Sequence, residues 1–279
     1  MVNTITSTFT STVTLSLPAE IDTVIAGGAR LLEGLYGANS NAWTITNNGF
    51  VRSTTLAAID LAAGGTITNL LNRRISGTQN GIQINGGTGL VVNAGTITSG
   101  AGGAGIVLTN GTVTNQATGS IIGTHGIMAS EAATVSNAGT IQASLSGTGV
   151  VLIGGGSVTN LATGRITGQY GIAAGGLLIA DNAGFISGGT IGAAIAASAG
   201  GTVTNRAGGT LTGYNGIAAT SGSLMTVTNG GSINGTEAGI YLRDGGTVIN
   251  ETTGVLTGRY GVEGGPDGPL SVSPSLTPF

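Results

Sequence analysis

The side chains that could act as acids, bases or metal ligands are few and widely separated in this chain. It has eleven acidic residues, eight arginines, one histidine, no lysine and no cysteine among 279 residues. Hydrolysis of polysaccharides uses two neighbouring carboxylates, and calcium sites gather several. The closest approach to such a group is Arg243 and Asp244 with Glu237 nearby, which we interpret as a solvated pair. We therefore predict that the protein is not an enzyme and that it binds no metal or cofactor.

Paired hydroxyl residues form a more regular pattern. In seven places a Thr or Ser stands both three residues and one residue before an asparagine. Such Thr-x-Thr arrays resemble the ice-binding faces of β-solenoid antifreeze proteins, although Thr is favoured on any exposed strand. The candidate binding face consists of Thr66/Thr68, Thr112/Thr114, Thr134/Ser136, Ser157/Thr159 and Thr202/Thr204, which Thr44/Thr46 and Thr226/Thr228 extend and which Leu90/Val92 and Ile179/Asp181 interrupt.

The asparagines that follow these positions recur with a period near 22 residues. They are Asn47, Asn69, Asn93, Asn115, Asn137, Asn160, Asn182, Asn205, Asn229 and Asn250, at intervals of 22, 24, 22, 22, 23, 22, 23, 24 and 21 residues. A fixed period of this length predicts a coil that stacks on copies of itself. We predict that the ten asparagines form a structural ladder, in which each amide bonds the amides of the neighbouring coils.

Each period carries three short apolar segments, such as residues 112–115, 119–121 and 126–127. Alternating Thr or Ser with Val or Ile, punctuated by Gly and Asn, predicts short strands and tight turns. Stacking them in parallel predicts an all-β fold, a single right-handed parallel β-helix (β-solenoid) with about 22 residues per coil. Ten coils at about 4.8 Å would give a rod roughly 45 to 50 Å long.

Both ends depart from the repeat. We predict that residues 1–41 form an amino-terminal cap and first irregular coil, in which residues 29–35 make a short amphipathic helix. Residues 42–263 are the predicted β-helix repeats. Residues 264–279 contain four of the five prolines, which predicts an extended or disordered tail that stops strand pairing. The amino terminus has neither the positive charge nor the apolar segment of a secretory signal, so the route of export stays open.

Composition limits the partners. The net charge is −3 and the arginines are scattered along the sequence, which predicts no basic patch and no binding of nucleic acid. No run of 18 apolar residues occurs, so we predict no transmembrane segment.

His125 and two tyrosines occupy equivalent positions of different coils. The residues that match His125 are Asn80, Tyr170, Asn215 and Tyr260, so we interpret the histidine as one member of an exposed column rather than a base. Tyr170 and Tyr260, predicted to lie two coils apart, could stack on a sugar ring.

Three recurring segments carry a family resemblance. They are Gly-Gly-Thr-Val-Thr-Asn at 200–205, Asn-Ala-Gly-Thr-Ile at 93–97 and 137–141, and Gly-Ile-x-Leu at 105–108. They resemble the passenger repeats of bacterial autotransporter adhesins and related glycine-rich β-helical surface proteins of alphaproteobacteria, over about residues 42–263. The resemblance implies a rod that is extracellular or on the bacterial cell surface.

These patterns together predict a structural or adhesive β-helical rod of the bacterial surface, without enzymatic activity. One alternative is a self-assembling β-helix filament, formed end to end or side by side, which would also fit the cytoplasm. A further alternative is an ice-binding or glycan-binding β-solenoid. The expected partners are therefore a surface glycan and other copies of the chain.

Overall fold

The computed structural model describes residues 2–220, 224–266 and 268–274. About 60% of the chain is strand, and the described part has one short helix, a 3-10 turn at Pro18–Glu20. The strands form a single parallel β-solenoid of about 12 turns with about 22 residues per turn. The predicted fold class is confirmed.

Each turn of the solenoid passes through three faces, here called A, B and C. Face A contains β1 (Asn3–Ile5), β4 (Asp22–Ile25), β7 (Trp43–Asn47), β10 (Gly65–Asn69), β17 (Ala133–Asn137), β20 (Gly156–Asn160), β23 (Leu178–Asn182), β26 (Gly201–Asn205), β28 (Met225–Asn229), β30 (Gly246–Asn250) and β33 (Leu270–Pro274). Face B contains β2 (Thr8–Phe9), β5 (Arg30–Leu31), β8 (Phe50–Arg52), β11 (Arg74–Ser76), β13 (Thr96–Thr98), β15 (Ser120–Gly123), β18 (Thr140–Ala143), β21 (Arg165–Thr167), β24 (Phe185–Ser187) and β31 (Val255–Thr257).

Face C contains β3 (Val13–Leu15), β6 (Leu35–Gly37), β9 (Ile59–Leu61), β16 (His125–Ala129), β19 (Thr148–Leu152), β22 (Tyr170–Ala174), β25 (Ala193–Ala197) and β32 (Tyr260–Gly264). Four longer strands turn a corner without a break. Of these, β12 (Ile82–Asn93) and β14 (Ala104–Asn115) run from face C to face A, and β27 (Thr210–Ala219) and β29 (Ser232–Leu242) run from face B to face C.

The strands pair in parallel with the same face of the next coil. For example, β14 pairs with β17 and β17 with β20, which aligns Asn115, Asn137 and Asn160 in one column. Because the register is fixed in this way, every position of a coil lies above the equivalent position of its neighbours. Equivalent positions of successive coils therefore form columns along the rod, and the neighbours of a residue in its column are the equivalent residues of the coils on either side.

Alternation along each strand divides residues between the core and the solvent. In β17 the side chains of Ala133, Val135 and Asn137 are buried, whereas Thr134 is exposed and Ser136 half-buried. The inward column of face A continues with Ile67, Val91, Val113 and Val158, each 0 or 1% exposed. Stacked branched side chains make one core along the axis of the rod.

Gly156, at the corner that leads from face C to face A, is a position that only glycine fits. Gly156 has φ +128°, and a Cβ atom there would lie 2.0 Å from the carbonyl oxygen of Ala133 in the preceding coil. Both the backbone angle and the close approach of two coils exclude a side chain at this position.

The predicted amino-terminal cap is wrong. Residues 29–35 form no helix, because β5 and β6 pair in register with β8 and β9. Two further coils therefore precede Asn47, and the rod measures roughly 55 to 60 Å instead of 45 to 50 Å. Ile5 and Ile25 occupy the asparagine column in these coils, so the sequence pattern that marks a coil is missing while its inward apolar positions remain.

The carboxy-terminal prediction also needs correction. Leu270–Pro274 pairs with Gly246–Asn250 as strand β33, so the prolines do not stop strand pairing. Pro269 precedes this strand and Pro274 is its last residue. Prolines are tolerated at the ends of a strand on the edge of a sheet, where few amide donors are lost. Pro278 and the rest of 275–279 lie outside the described residues.

Candidate functional site

The ten asparagines form a continuous ladder inside the corner between faces A and B. The Nδ2 of each donates to the Oδ1 of the asparagine in the next coil, and all nine of these bonds are 2.8 Å long. Nine of the ten side chains are 0 or 1% exposed, and Asn250 is half-buried. All the amides point in the same direction, towards the carboxy-terminal end of the rod.

A second set of hydrogen bonds closes the turn after nine of the ten asparagines. Nδ2 of Asn93 also donates to the carbonyl oxygen of Gly95 at 3.0 Å, and Nδ2 of Asn115 donates to that of Gly119 at 3.1 Å. The short and long turns alternate along much of the ladder, and one side chain satisfies both kinds. At the first rung, Oδ1 of Asn47 accepts the backbone N–H of Gly49 at 3.0 Å. Hydrogen bonds of this kind account for the burial of so many amides.

The hydroxyl pairs lie on face A and point outwards in two columns. The first column contains Thr66, Thr112, Thr134, Ser157 and Thr202, and the second contains Thr68, Thr114, Ser136, Thr159 and Thr204. All are exposed or half-buried. Leu90/Val92 on β12 and Ile179/Asp181 on β23 occupy the same columns, so the longest uninterrupted run of hydroxyl pairs covers three coils.

Hydroxyl columns are not confined to face A. On face B the hydroxyl of Thr98 donates to that of Ser76 at 2.9 Å, and Thr96 and Thr140 also lie in an outward column. A Thr or Ser on an outward strand position is therefore a general property of this solenoid. The interruptions on face A distinguish its surface more than the hydroxyls do.

One interruption borders a shallow depression of about 400 Å³ on face A. Its walls include the hydroxyls of Thr112, Thr134 and Ser157 on one side and the apolar side chains of Leu177 and Ile179 on the other. Leu177 and Ile179 are 62% and 57% exposed, unusually high for aliphatic residues of a strand and its turn. The depression offers both hydrogen-bonding groups and apolar surface to a shallow ligand.

The acidic side chains are held in separate interactions. Asp181 forms a two-bond ion pair with Arg206 of the next coil, with Nε–Oδ1 and Nη2–Oδ2 distances of 2.6 and 2.5 Å. Hydrogen bonding to Asp181 raises the pKa of Arg206. Glu237 faces Arg259 at 3.4 Å, and Arg243 and Asp244 both take part in interactions as well. Within the described ranges, no three His, Asp or Glu residues are close enough to hold a metal ion.

His125 accepts a backbone hydrogen bond at the corner between faces B and C. Its Nδ1 accepts the N–H of Thr148 at 3.1 Å, and Asn80 and Asn215 do the same through Oδ1 for the N–H groups of Ala104 and Ala238. The histidine therefore belongs to a column of corner acceptors. Tyr170 and Tyr260 occupy this column too, but four coils separate them instead of the predicted two.

Four of the eight arginines gather on the first coils, which the sequence prediction of scattered arginines missed. Arg30, Phe50 and Arg74 are successive members of one outward column of face B, and Arg52 lies beside Phe50 on the same strand. Arg73 follows the corner that leads to this face. The residue numbers 30, 52 and 74 differ by 22, one coil, and this spacing was the signal available in the sequence.

Comparison of the chain with protein-family models, with curated proteins and with solved structures found no match. The resemblance to autotransporter passenger repeats thus rests on the sequence motifs alone. No helix of the described residues has the length and apolar character needed to cross a membrane.

Proposed function

We propose that the protein is a non-enzymatic structural or adhesive rod of the bacterial cell surface, similar in role to an autotransporter passenger. The observation that supports this proposal most is the ladder, since nine identical amide bonds lock about ten coils into one register. A rod locked in this way repeats its outward positions every coil. It therefore offers one shallow surface many times, which suits adhesion better than a single deep pocket would.

Adhesion by such a rod depends on the number of contacts made at once. Each contact of an exposed hydroxyl or an aliphatic side chain with a surface glycan is weak, but contacts on one rigid rod raise the effective concentration of the rest. Binding should therefore rise steeply with the density of the ligand on a surface.

Removal of two coils tests this proposal. Deletion of residues 116–160 joins Asn115 to Leu161 and places Asn182 in the coil after Asn115, with the same kind of turn between them. The rod should shorten by about 10 Å, as seen by electron microscopy. On beads, the full chain should bind a panel of immobilised glycans more strongly as glycan density rises, and the shortened chain should bind less at every density. Binding that is independent of density and of rod length would contradict the proposal.

Catalysis and location are tested separately. Incubation with the bound glycan should release no new reducing ends, and release of sugars would show that the rod is an enzyme.

Antibodies against the chain should label intact cells; label that appears only after lysis would place the protein inside the cell.

Lateral self-assembly is a second candidate, favoured by face C. Val107, Met128, Val151, Ala173, Ala196 and Ala218 follow one another in the outward column of this face over six coils, the first five half-buried and Ala218 6% exposed. In an antiparallel pair of rods related by a two-fold axis, the three larger side chains of one copy would oppose the alanines of the other. The six coils span about 29 Å, so with a face about 12 Å wide each copy would bury roughly 350 Å², which is below the size of a standard specific interface and predicts a weak dimer.

The self-assembly candidate predicts a concentration-dependent dimer. Sedimentation of the wild-type chain should show it, and Met128→Glu should abolish it, whereas Met128→Leu should not. A monomer at every concentration would exclude this candidate, and long filaments would indicate end-to-end assembly instead.

A further inference from the structure

The three exposed arginines on the first coils of face B lack carboxylate partners. Arg30, Arg52 and Arg74 are exposed, and no carboxylate of the described residues lies within ion-pair distance of them or of Arg73. Two acidic side chains of these coils are held by other groups. Both oxygens of Glu33 accept from Thr54, at 2.7 to 3.3 Å, and Glu20 accepts two backbone N–H groups at 2.9 Å.

Stacking orders part of this cluster. The guanidinium carbon of Arg30 lies 4.7 Å from the centre of the Phe50 ring, so its flat group covers the ring and its edge stays open to solvent. Arg74 continues the same column one coil further, roughly 10 Å from Arg30 along the axis. A guanidinium fixed by stacking loses less freedom when it binds a planar anion.

Arg73 supplies an independent observation. Its Nε is buried and has no hydrogen-bond partner among the described residues. Its Nη2 lies near Gly27, in the turn two coils earlier that precedes Arg30. A buried N–H without a partner is uncommon, and no described carboxylate neutralises the charge of this guanidinium.

The same stacking without a cluster occurs further along the rod. Arg165 lies over Phe185 at 4.3 Å in the same outward column of face B, but no second arginine adjoins this pair. Arginine–phenylalanine stacking by itself is therefore structural. The additional arginines Arg52, Arg73 and Arg74 are what make the first coils different.

We propose that Arg30, Arg52, Arg73 and Arg74 bind an acidic polysaccharide through its carboxylate groups. Guanidinium groups bind carboxylates through two parallel hydrogen bonds. Arg30, Arg52 and Arg74 lie on successive strands of face B, and Arg73 precedes the third of these strands, so an extended polymer with regularly spaced acids can lie across several of them. Ser76 and Thr96 beside Arg74 offer hydroxyls to the sugar. This inference deepens the proposed adhesive role by naming the class of glycan.

Two other polyanions fit less well. Single-stranded nucleic acid is held by bases that stack on open aromatic rings, and the Phe50 ring is covered by Arg30. Anionic membranes are bound by basic clusters beside apolar groups. Leu70 and Leu71, 36% and 53% exposed, lie in the turn before Arg73 but not on face B, so vesicles belong in the test.

The test compares two double variants that remove equal charge. Arg52→Gln with Arg74→Gln disrupts the cluster, whereas Arg165→Gln with Arg259→Gln removes two exposed arginines elsewhere. Binding to polygalacturonate is measured by biolayer interferometry over a series of salt concentrations, with dextran as the neutral polymer. Unfolding midpoints of both variants show that the rod is intact.

We expect the wild type to bind polygalacturonate more tightly than dextran and to lose binding as salt screens the contacts. The cluster variant should bind about tenfold more weakly, and the control variant should bind like the wild type. Equal loss in both variants would show an unspecific charge effect and overturn the inference. Tighter binding to phosphatidylserine vesicles or single-stranded DNA would also overturn it. Density-dependent adhesion to neutral glycans without binding to polygalacturonate would refute this inference alone and leave the adhesive role standing.

Discussion

Replacement of a central ladder residue, Asn137→Ala, should destabilise the rod markedly. Oδ1 of Asn137 accepts from Asn115, and its Nδ2 donates to Asn160, both at 2.8 Å. Alanine would leave the Oδ1 of Asn160 without a partner in a fully buried column. The Nδ2 of Asn115 would lose its shortest acceptor and keep the carbonyl oxygens of Gly119 and Thr140 at 3.1 and 3.2 Å. The carbonyl oxygen of Gly139 would still accept the N–H of Arg165 at 2.8 Å. One orphaned acceptor at about 1 to 2 kcal/mol and one weakened donor at about 1 kcal/mol give a loss of about 2 to 3 kcal/mol.

Asn250→Ala is the matched control, because it removes the same side chain at the end of the ladder. Asn250 is half-buried and bonds only one other ladder residue, Asn229. Water can replace its hydrogen bonds, so the expected loss is about 1 kcal/mol. Urea unfolding followed by circular dichroism measures the free energy of unfolding of both variants. The two values are comparable when the slopes of the transitions are equal.

Neighbouring replacements give the sharpest test of the ladder. Made singly, Asn115→Ala and Asn137→Ala each take the ladder partner from one Nδ2 and from one Oδ1. The double variant also takes it from only one of each, the Nδ2 of Asn93 and the Oδ1 of Asn160, because the two removed amides were partners of each other. It should therefore cost about as much as one single variant, with a coupling of about 2 to 3 kcal/mol. Additive losses would refute the continuous hydrogen-bonded chain.

Three further predictions concern single positions. His125→Ala should cost about 1 kcal/mol in urea unfolding, since the N–H of Thr148 loses its acceptor, while His125→Asn should be neutral because Asn80 and Asn215 make the same bond. Gly156→Ala should cost more than about 3 kcal/mol or prevent folding, whereas Gly28→Ala, with nothing within 4 Å of the new Cβ, should stay within about 0.5 kcal/mol of the wild type. Burial raises the pKa of Asp60 above 3.8, so the folded state holds this proton more tightly than the unfolded state. The contribution of Asp60 to the free energy of unfolding should therefore fall as pH rises from the unfolded pKa to the folded pKa. Asp60→Asn should remove this fall, which urea unfolding at several pH values would measure.

The repeating features of the fold could be predicted from the sequence, and the features that depart from the repeat could not. The asparagine period and the Val or Ile two residues earlier fix the coil, the face and the ladder, because stacking demands the same residue type at the same place. The first two coils were missed since Ile5 and Ile25 fill the asparagine column with apolar side chains, which need no ladder partner. Strand β33 was missed because prolines were judged by their number rather than by their positions at its ends.

The arginine cluster was missed for a different physical reason. Charge was judged along the sequence, whereas in a solenoid residues one coil apart are neighbours in space. Arg30 and Arg52 are separated by 22 residues and Arg52 and Arg74 by another 22. A charge pattern in a repeat protein therefore has to be read across the period, in the same way as the hydrophobic pattern.

Inward and outward columns differ in how far their residues can vary, and this difference indicates where the functional residues lie. Inward columns are constrained, because a missing amide takes a ladder partner from its neighbours and a missing methyl group opens the core. Outward positions are joined through the backbone, so the coil folds whether Thr, Leu or Arg stands there. The positions that depart from Thr and Ser are thus free of structural demand: Ile179 beside the depression of face A, and Arg52 and Arg74 on face B. If function were carried by the regular hydroxyls, replacing Ile179 with Thr would strengthen adhesion by lengthening the hydroxyl run. If it is carried by the departures, that replacement weakens adhesion and leaves the stability of the rod unchanged.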